Sequence, residues 1–371
     1  WAPSSYTLIA PDATRYALDA GGKVTGVSFA DGAQWLVSNA GIAAVSADAT
    51  TRVGFIRDSQ GRLSRVTGPG DSANSDAKSI VYRYDDQGRL ILARTLNAAD
   101  FGTPYGYDAA GKPFTDTITA NLGAAVDWSA SSASNQWSGT LQAGQTTTLA
   151  FAVRASELAS AVKVPGAQGA VIIALETQLA EAQAGLQVTG ATVLGSTNIG
   201  GRQTTLLRVT EAGLKLIRLT GAGSASVRVS VAGDLNRDGV IDGSDSAAWE
   251  QAAVASASIG DLNGDGRVNQ ADRQVLYANY GWKANQAPVA AGTLPQARTH
   301  TDLATSLSLN SIAEDLEGDQ VLWRLLDATH GSARFSADGQ SLLFTPEAGY
   351  AGSATIRVQA DDGFAASAPI A

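Results

Sequence analysis

The sequence predicts a mainly β, multi-domain chain: β-hairpin repeats, a β-sandwich, a small α-helical module built on cation-binding loops, and a second sandwich. Three observations predict it. The 371 residues include 40 glycines while only 16% are charged, a mix that suits thin sheets and tight turns better than a large helical core. One turn motif recurs four times in the first third of the chain, and one twelve-residue acidic loop occurs twice, 27 positions apart. The length predicts two to four modules. A net charge of −9 argues against nucleic acid and anionic membrane surfaces as partners. Cysteine is absent, so no disulfide framework or Cys–His pair exists. Methionine is absent even at position 1, which points to a processed or excised piece of a longer product. No apolar run approaches the about 18 residues of a membrane span.

Residues 1–115 form the first expected module. The stretches "YALDAGGKV" at Tyr16, "FIRDSQGRL" at Phe55, "YRYDDQGRL" at Tyr82 and "YGYDAAGKP" at Tyr105 share an aromatic residue, Asp, two residues, Gly, then Lys or Arg. Asp19, Asp58, Asp85 and Asp108 can cap a turn with a side-chain oxygen. Gly22, Gly61, Gly88 and Gly111 can take the positive φ that closes it, so each stretch reads as a β-hairpin. Over about residues 15 to 115 this pattern resembles the YD repeats of Rhs and teneurin-like proteins. The resemblance implies hairpins joined into a long sheet that can wrap into a shell, although four are too few to close one and their spacing is uneven.

Residues 116–232 carry "TTTLAFAV", "GAVIIALE", "LQVTGATVL", "TTLLRVT", "LKLIRLT" and "SASVRVSV", separated by turn signals such as "GSTNIGGR" and "TGAGS". Short apolar or alternating segments at this spacing predict a β-sandwich. "LETQLAEAQ" reads as a short helix between strands.

Residues 233–283 hold the duplicated loop, "DLNRDGVIDGSD" and "DLNGDGRVNQAD". Counting from each first Asp, oxygen ligands fall at positions 1, 3, 5, 9 and 12: Asp234, Asn236, Asp238, Asp242 and Asp245, then Asp261, Asn263, Asp265, Asn269 and Asp272. Position 7 offers a backbone carbonyl, from Val240 and Arg267, and Gly239 and Gly266 allow the sharp turn. This spacing wraps oxygens around a hard cation, and two Ca²⁺ ions are expected. Ile241 and Val268 are expected to pair between the loops. Each loop leads into a helical segment, "SDSAAWEQAAVAS" and "QADRQVLYANYG", in which Trp249, Leu276, Tyr277 and Tyr280 are expected in the core.

A duplicated loop-then-helix unit with Asp at position 12 resembles a type I dockerin, a calcium module whose helices plug into a cohesin partner. The resemblance implies either such docking or, since this unit lies between β-modules, a calcium-locked joint.

"GWKANQAPVA" reads as a linker. Residues 288–371 resemble bacterial cadherin-like and immunoglobulin-like repeats through "EDLEGDQVLWRL", the "HGSARFSADGQSLLFTPEAGYAG" hairpin around Ala337, Asp338 and Gly339, and "ATIRVQADDG". The module stops at "FAASAPIA", so it is expected to lack its last strand and leave an edge open. Asp315, Glu317 and Asp319, with Asp361 and Asp362, fit either a junctional calcium site or an exposed acidic turn. His300 and His330 are the two histidines; with no P-loop, zinc motif or dinucleotide fingerprint, no enzyme is expected. Together these readings describe a secreted, calcium-stabilised structural or adhesive protein of the bacterial surface, a rod or subunit of an assembly. Its partners would be neighbouring copies of itself or a cohesin-like domain. Cohesin attachment and a fragment of a YD-repeat toxin shell are the alternative functions.

Overall fold

The computed structural model describes all residues except 1–2, 46–51, 69–78, 86, 96–102, 109, 123–134, 163–168, 181–184, 293 and 337–338. Ten antiparallel strands in sequential order form the first sheet. They are β1 (Ser5–Ile9), β2 (Arg15–Asp19), β3 (Val24–Ser28), β4 (Gln34–Ser38), β5 (Gly41–Ala44), β6 (Arg52–Arg57), β7 (Leu63–Thr67), β8 (Ile80–Tyr84), β9 (Leu90–Thr95) and β10 (Thr103–Pro104). Every Asp-x-x-Gly stretch makes the same turn. Asp19 Oδ1 accepts the N–H groups of Gly21 and Lys23, and Asp58, Asp85 and Asp108 repeat this two and four residues on. The four glycines lie at φ of 78 to 82°, a region that costs a side-chain-bearing residue energy. Consecutive repeats are also tied together: Arg62 lies over the Tyr84 ring and Arg89 over the Tyr107 ring. Each tyrosine hydroxyl donates 2.9 Å to the carbonyl just after that arginine, at Leu63 and Leu90. The motif thus encodes the hairpin and its attachment to the next.

A sandwich follows, from β11 (Ala120–Asn121), β12 (Gln136–Leu141), β13 (Thr146–Val153), helix α1 (Ala155–Ser160), β14 (Val171–Leu179), β15 (Gly185–Thr189), β16 (Thr192–Ile199), β17 (Arg202–Val209), β18 (Gly213–Thr220) and β19 (Gly223–Val231). Its sheets run β11-β13-β18-β15 and β12-β19-β14-β17-β16. Phe151, Ile217 and Leu219 from the first sheet and Ile173, Leu207 and Val229 from the second share one apolar core. Each such burial is worth about 1.5–3 kcal/mol before entropy is charged against it. The helix expected at "LETQLAEAQ" is a strand over its first five residues, the end of β14. Glu176 there pairs in register with both Thr204 and Arg228, so ladder bonds on both sides override local helix propensity.

The acidic loops come next, each followed by a helix: α2 (Gly243–Ala255) and α3 (Gln270–Asn279). These helices do not stand apart from the sandwich. Ile241, Trp249, Leu276 and Trp282 belong to the same apolar core as the sandwich residues. Asn279, fully buried, seals the contact: its Nδ2 donates to the carbonyls of Ile172 and Ala232, and its Oδ1 accepts the Ile172 N–H, all at 2.7 Å.

The expected linker is packed rather than loose, because Trp282, Ala284 and Asn285 are buried. Asn285 accepts from Ser156 of α1 and donates to Asp362, which ties the sandwich to the last module. That module contains β20 (Val289–Ala290), β21 (Thr305–Ser308), β22 (Ala313–Glu314), β23 (Leu322–Ala328), β24 (Gly331–Phe335), β25 (Ser341–Pro346) and β26 (Ile356–Asp361). Ala337 and Asp338, at the expected β24–β25 turn, lie outside the described residues, while Gly339 has φ 72°. The chain end folds back along β26: Val358 and Ile370 exchange both backbone hydrogen bonds at 2.8 Å, and Ser367 N–H reaches Ala360. The β26 edge expected to be open therefore has a partner there.

This last module rests on the hairpin sheet through buried arginines. Arg65 on β7 donates to the Trp323 carbonyl, Arg83 on β8 to the carbonyls of Gln320 and Asp362, and Arg94 on β9 pairs with Asp361. Among the described residues, no helix is long and apolar enough to cross a membrane.

Candidate metal centre

In the first loop, side-chain oxygens hold the backbone turn through a set of hydrogen bonds. Asp245 is fully buried and accepts three N–H groups: Leu235 and Asn236 at Oδ1 (2.8 and 3.2 Å) and Asp242 at Oδ2 (3.0 Å). Asn236 Oδ1 accepts from Asp238, Asp238 Oδ1 from Val240, and Asp242 Oδ1 caps α2 at Ser244. Asp234 Oδ2 accepts the Gly239 N–H at 3.2 Å, whereas its Oδ1 is buried without a hydrogen-bond partner. Burial first, and the nearby Asp245 charge second, push the Asp234 carboxyl up to about 6.

The second loop repeats the scheme. Asp272, also fully buried, accepts from Leu262, Asn263 and Asn269. Asn263 accepts from Asp265, Asp265 from Arg267, and Asn269 caps α3 at Ala271. Asp261 differs from its counterpart because both its oxygens are used, by Asp265 and Gly266 N–H groups. Burial raises the Asp272 carboxyl above its ordinary value.

Among the described residues, no three or more His, Cys, Asp or Glu side chains gather into a metal-holding group. The loops are mixed sets of carboxylates, amides and backbone, and their carboxylates are partly turned onto N–H groups. Position 7 of the first loop, Val240, sits opposite Lys283, flanked by the Ile241–Trp282 and Ala284–Gly239 hydrogen bonds. Its own carbonyl therefore turns away from that strand. Chemically the sites offer only oxygen, the donor that hard divalent cations prefer.

Two expectations are corrected. Ile241 does not pair with Val268; its backbone bonds Gly281 and Trp282 instead, since the chain leaving α3 returns beside the first loop. Trp249 and Leu276 are core residues, but Tyr277 and Tyr280 are 45% and 42% exposed, because Leu276 and Asn279 occupy the inward face of α3.

The acidic residues of the last module form a different arrangement. Asp315 Oδ1 accepts from Glu317 and Asp319, while Asp315 Oδ2 and Asp319 Oδ2 are buried without partners. Burial raises both carboxyls, and burial pushes Asp361 up to about 6 despite Arg94 beside it. Positive charge reaches this region as Arg83 and Arg94 of the hairpin sheet. His330 stacks on Tyr350 at 4.0 Å between centroids, and His300 lies in an exposed loop.

Sequence reasoning missed Asn285 and the three buried arginines, and it read Asn279 as a residue offered to a partner, whereas Asn279 is buried against the sandwich. A signal existed for the arginines: Arg83 alternates in phase with the apolar Val81 on β8, so it occupies an inward position.

Residues 285–370 match the family model of a bacterial Ig domain. Among solved structures, the pre-peptidase C-terminal domain of a collagenase from Bacillus anthracis aligns over 32% of this chain and all of its own length. The identity is 13% and the TM-score 0.20. No curated protein matches the sequence.

Proposed function

We propose that the chain is an extracellular structural or adhesive protein in which a dockerin-like module, loaded with two Ca²⁺ ions, is a joint between β-modules and performs no catalysis. The bacterial Ig match supports a surface setting. The calcium reading is supported by the oxygen-only donor pattern and by the orphaned, buried Asp234 Oδ1, whose charge a cation would compensate. Asp234, Asn236, Asp238, Val240, Asp242 and Asp245 would hold one ion; Asp261, Asn263, Asp265, Arg267, Asn269 and Asp272 would hold the other.

One observation carries the joint: Asn279 and the α3 face around it are consumed by the sandwich, so much of the module's inner surface is already docked within its own chain. A cation binding the folded loops and not the unfolded chain then stabilises the whole junction. Calorimetry tests this directly. Replacing Asp234 and Asp261 together by Ala removes the calcium-dependent rise in melting temperature; a rise that survives sinks the reading.

Attachment to a separate cohesin-type partner is the second reading, favoured by the exposed Val254, Tyr277 and Tyr280 on the outer helix surfaces. Light scattering in calcium and in chelator separates the cases. Large species that fall apart in chelator indicate self-assembly, a compact monomer in both favours the separate partner, and a monomer that lengthens in calcium favours the joint.

A further inference from the structure

We infer a binding site for a carboxylate-bearing saccharide of one or two rings, in the cleft between the outer face of the five-stranded sheet and the acidic loops. It rests on the calcium reading above in one respect, the charge of the loop aspartates. The cleft is a cavity of about 590 Å³, a volume within the range of small-ligand sites. Its floor is a row of side chains set by strand register: Arg228 on β19 lies opposite Glu176 on β14, which lies opposite Thr204 on β17. The second loop forms a wall, because Thr197 Oγ1 donates 2.9 Å to the Asn263 carbonyl and Gly264 is pressed onto Thr204. Arg237, from the first loop, lines the other side.

The charges are unevenly matched. Glu176 is taken by Arg202, whereas no ion pair or side-chain hydrogen bond engages Arg228 or Arg237 among the described residues. Asp234 and Asp261 also border the cleft. Calcium on both loops would offset the charge of these two aspartates in part, and Arg228 and Arg237 are then the cleft's cations with no acidic side chain paired to them among the described residues. A planar fork of donors selects a carboxylate. Around it, Thr204 and Ser230 offer hydroxyl partners, and Ile199 and Ile259 offer apolar surface for a ring face. Carboxylate, hydroxyls and an apolar C–H face together describe an acidic sugar.

The test is isothermal titration of the calcium-loaded chain with digalacturonate and with the same disaccharide whose carboxylates have been reduced to alcohols. Calcium uptake is counted in a separate titration. Binding of the acid form alone is expected, weakened about 10- to 100-fold by Arg228→Gln and less by Arg237→Gln on the exposed loop. No binding by chain that holds its calcium overturns the site and leaves the joint standing. Equal binding of both disaccharides, or affinity unchanged in both variants, overturns it as well. If no calcium is taken up, the joint reading fails by itself, and Arg228-dependent binding of the acid form still supports the cleft.

Discussion

The two acidic loops spell nearly the same oxygen pattern, and the protein holds them differently. The first is built into the interior: Ile241 is fully buried, and the chain leaving α3 pairs with it. The second lies against the outer face of a sheet, touching it through Asn263, Gly264 and Gly266. The consequence appears in the first ligand of each. Asp261 has both oxygens satisfied by its own backbone, whereas Asp234 keeps one oxygen buried and unanswered. Local sequence therefore sets the turn geometry of a loop, and the surface it rests on sets its electrostatics. The first loop is expected to depend on a cation more than the second.

The largest effect should come from the position-12 carboxylates. Asp245→Ala removes a fully buried carboxylate and strands the three N–H groups it accepts, and should cost about 2–4 kcal/mol in urea unfolding even without calcium. Asp272→Ala should cost less, because positions 6 and 9 of the second loop are exposed where those of the first are not. Equal losses would break the asymmetry. Next, calcium titration of the single variants should separate the loops. Asp234→Asn is expected to weaken one site about 10-fold or more and to lower the melting temperature in calcium further than Asp261→Asn does.

A smaller effect sharpens the contrast in support. Gly264 has φ +73°, and a Cβ there would meet Thr204 at 2.4 Å, so Gly264→Ala should cost about 1–3 kcal/mol through the second loop alone. The smallest is a pH effect in chelator. The folded Asp234 carboxyl lies at about 6, above its unfolded value, so the folded chain binds the extra proton. Stability from this group is present below about pH 4 and is lost as pH rises through about 6. Asp234→Asn should flatten part of that slope in a series of melting curves; Asp361, also pushed up to about 6, and the raised carboxyls of Asp272, Asp315 and Asp319 contribute the same sign and are untouched by the substitution.

Much of the local structure was legible because it depends on neighbours in sequence. The turns at Asp19, Asp58, Asp85 and Asp108 follow from one side-chain oxygen and one glycine, and α2 and α3 begin at Asp242 and Asn269 caps. What could not be read depends on distant partners. Glu176 sits in a helix-like string, yet becomes strand because β17 and β19 flank it. Asn279 is one polar residue near a helix end, and nothing nearby says that Ile172 and Ala232 will claim it. The pairing of Ile241 with Trp282 instead of Val268 likewise needed the path of the chain after α3.

Asn279 also gives the molecule a mechanical property. Its three hydrogen bonds join the C-terminal end of α3 to the start of β14 and to the end of β19, which are far apart in sequence. Under tension along the polypeptide, they act as a shear pin: the helices cannot be drawn off the sandwich until this one side chain releases. Asn279→Ala should lower the force at which the module peels away in single-molecule pulling while leaving the hairpin sheet's own rupture force unchanged.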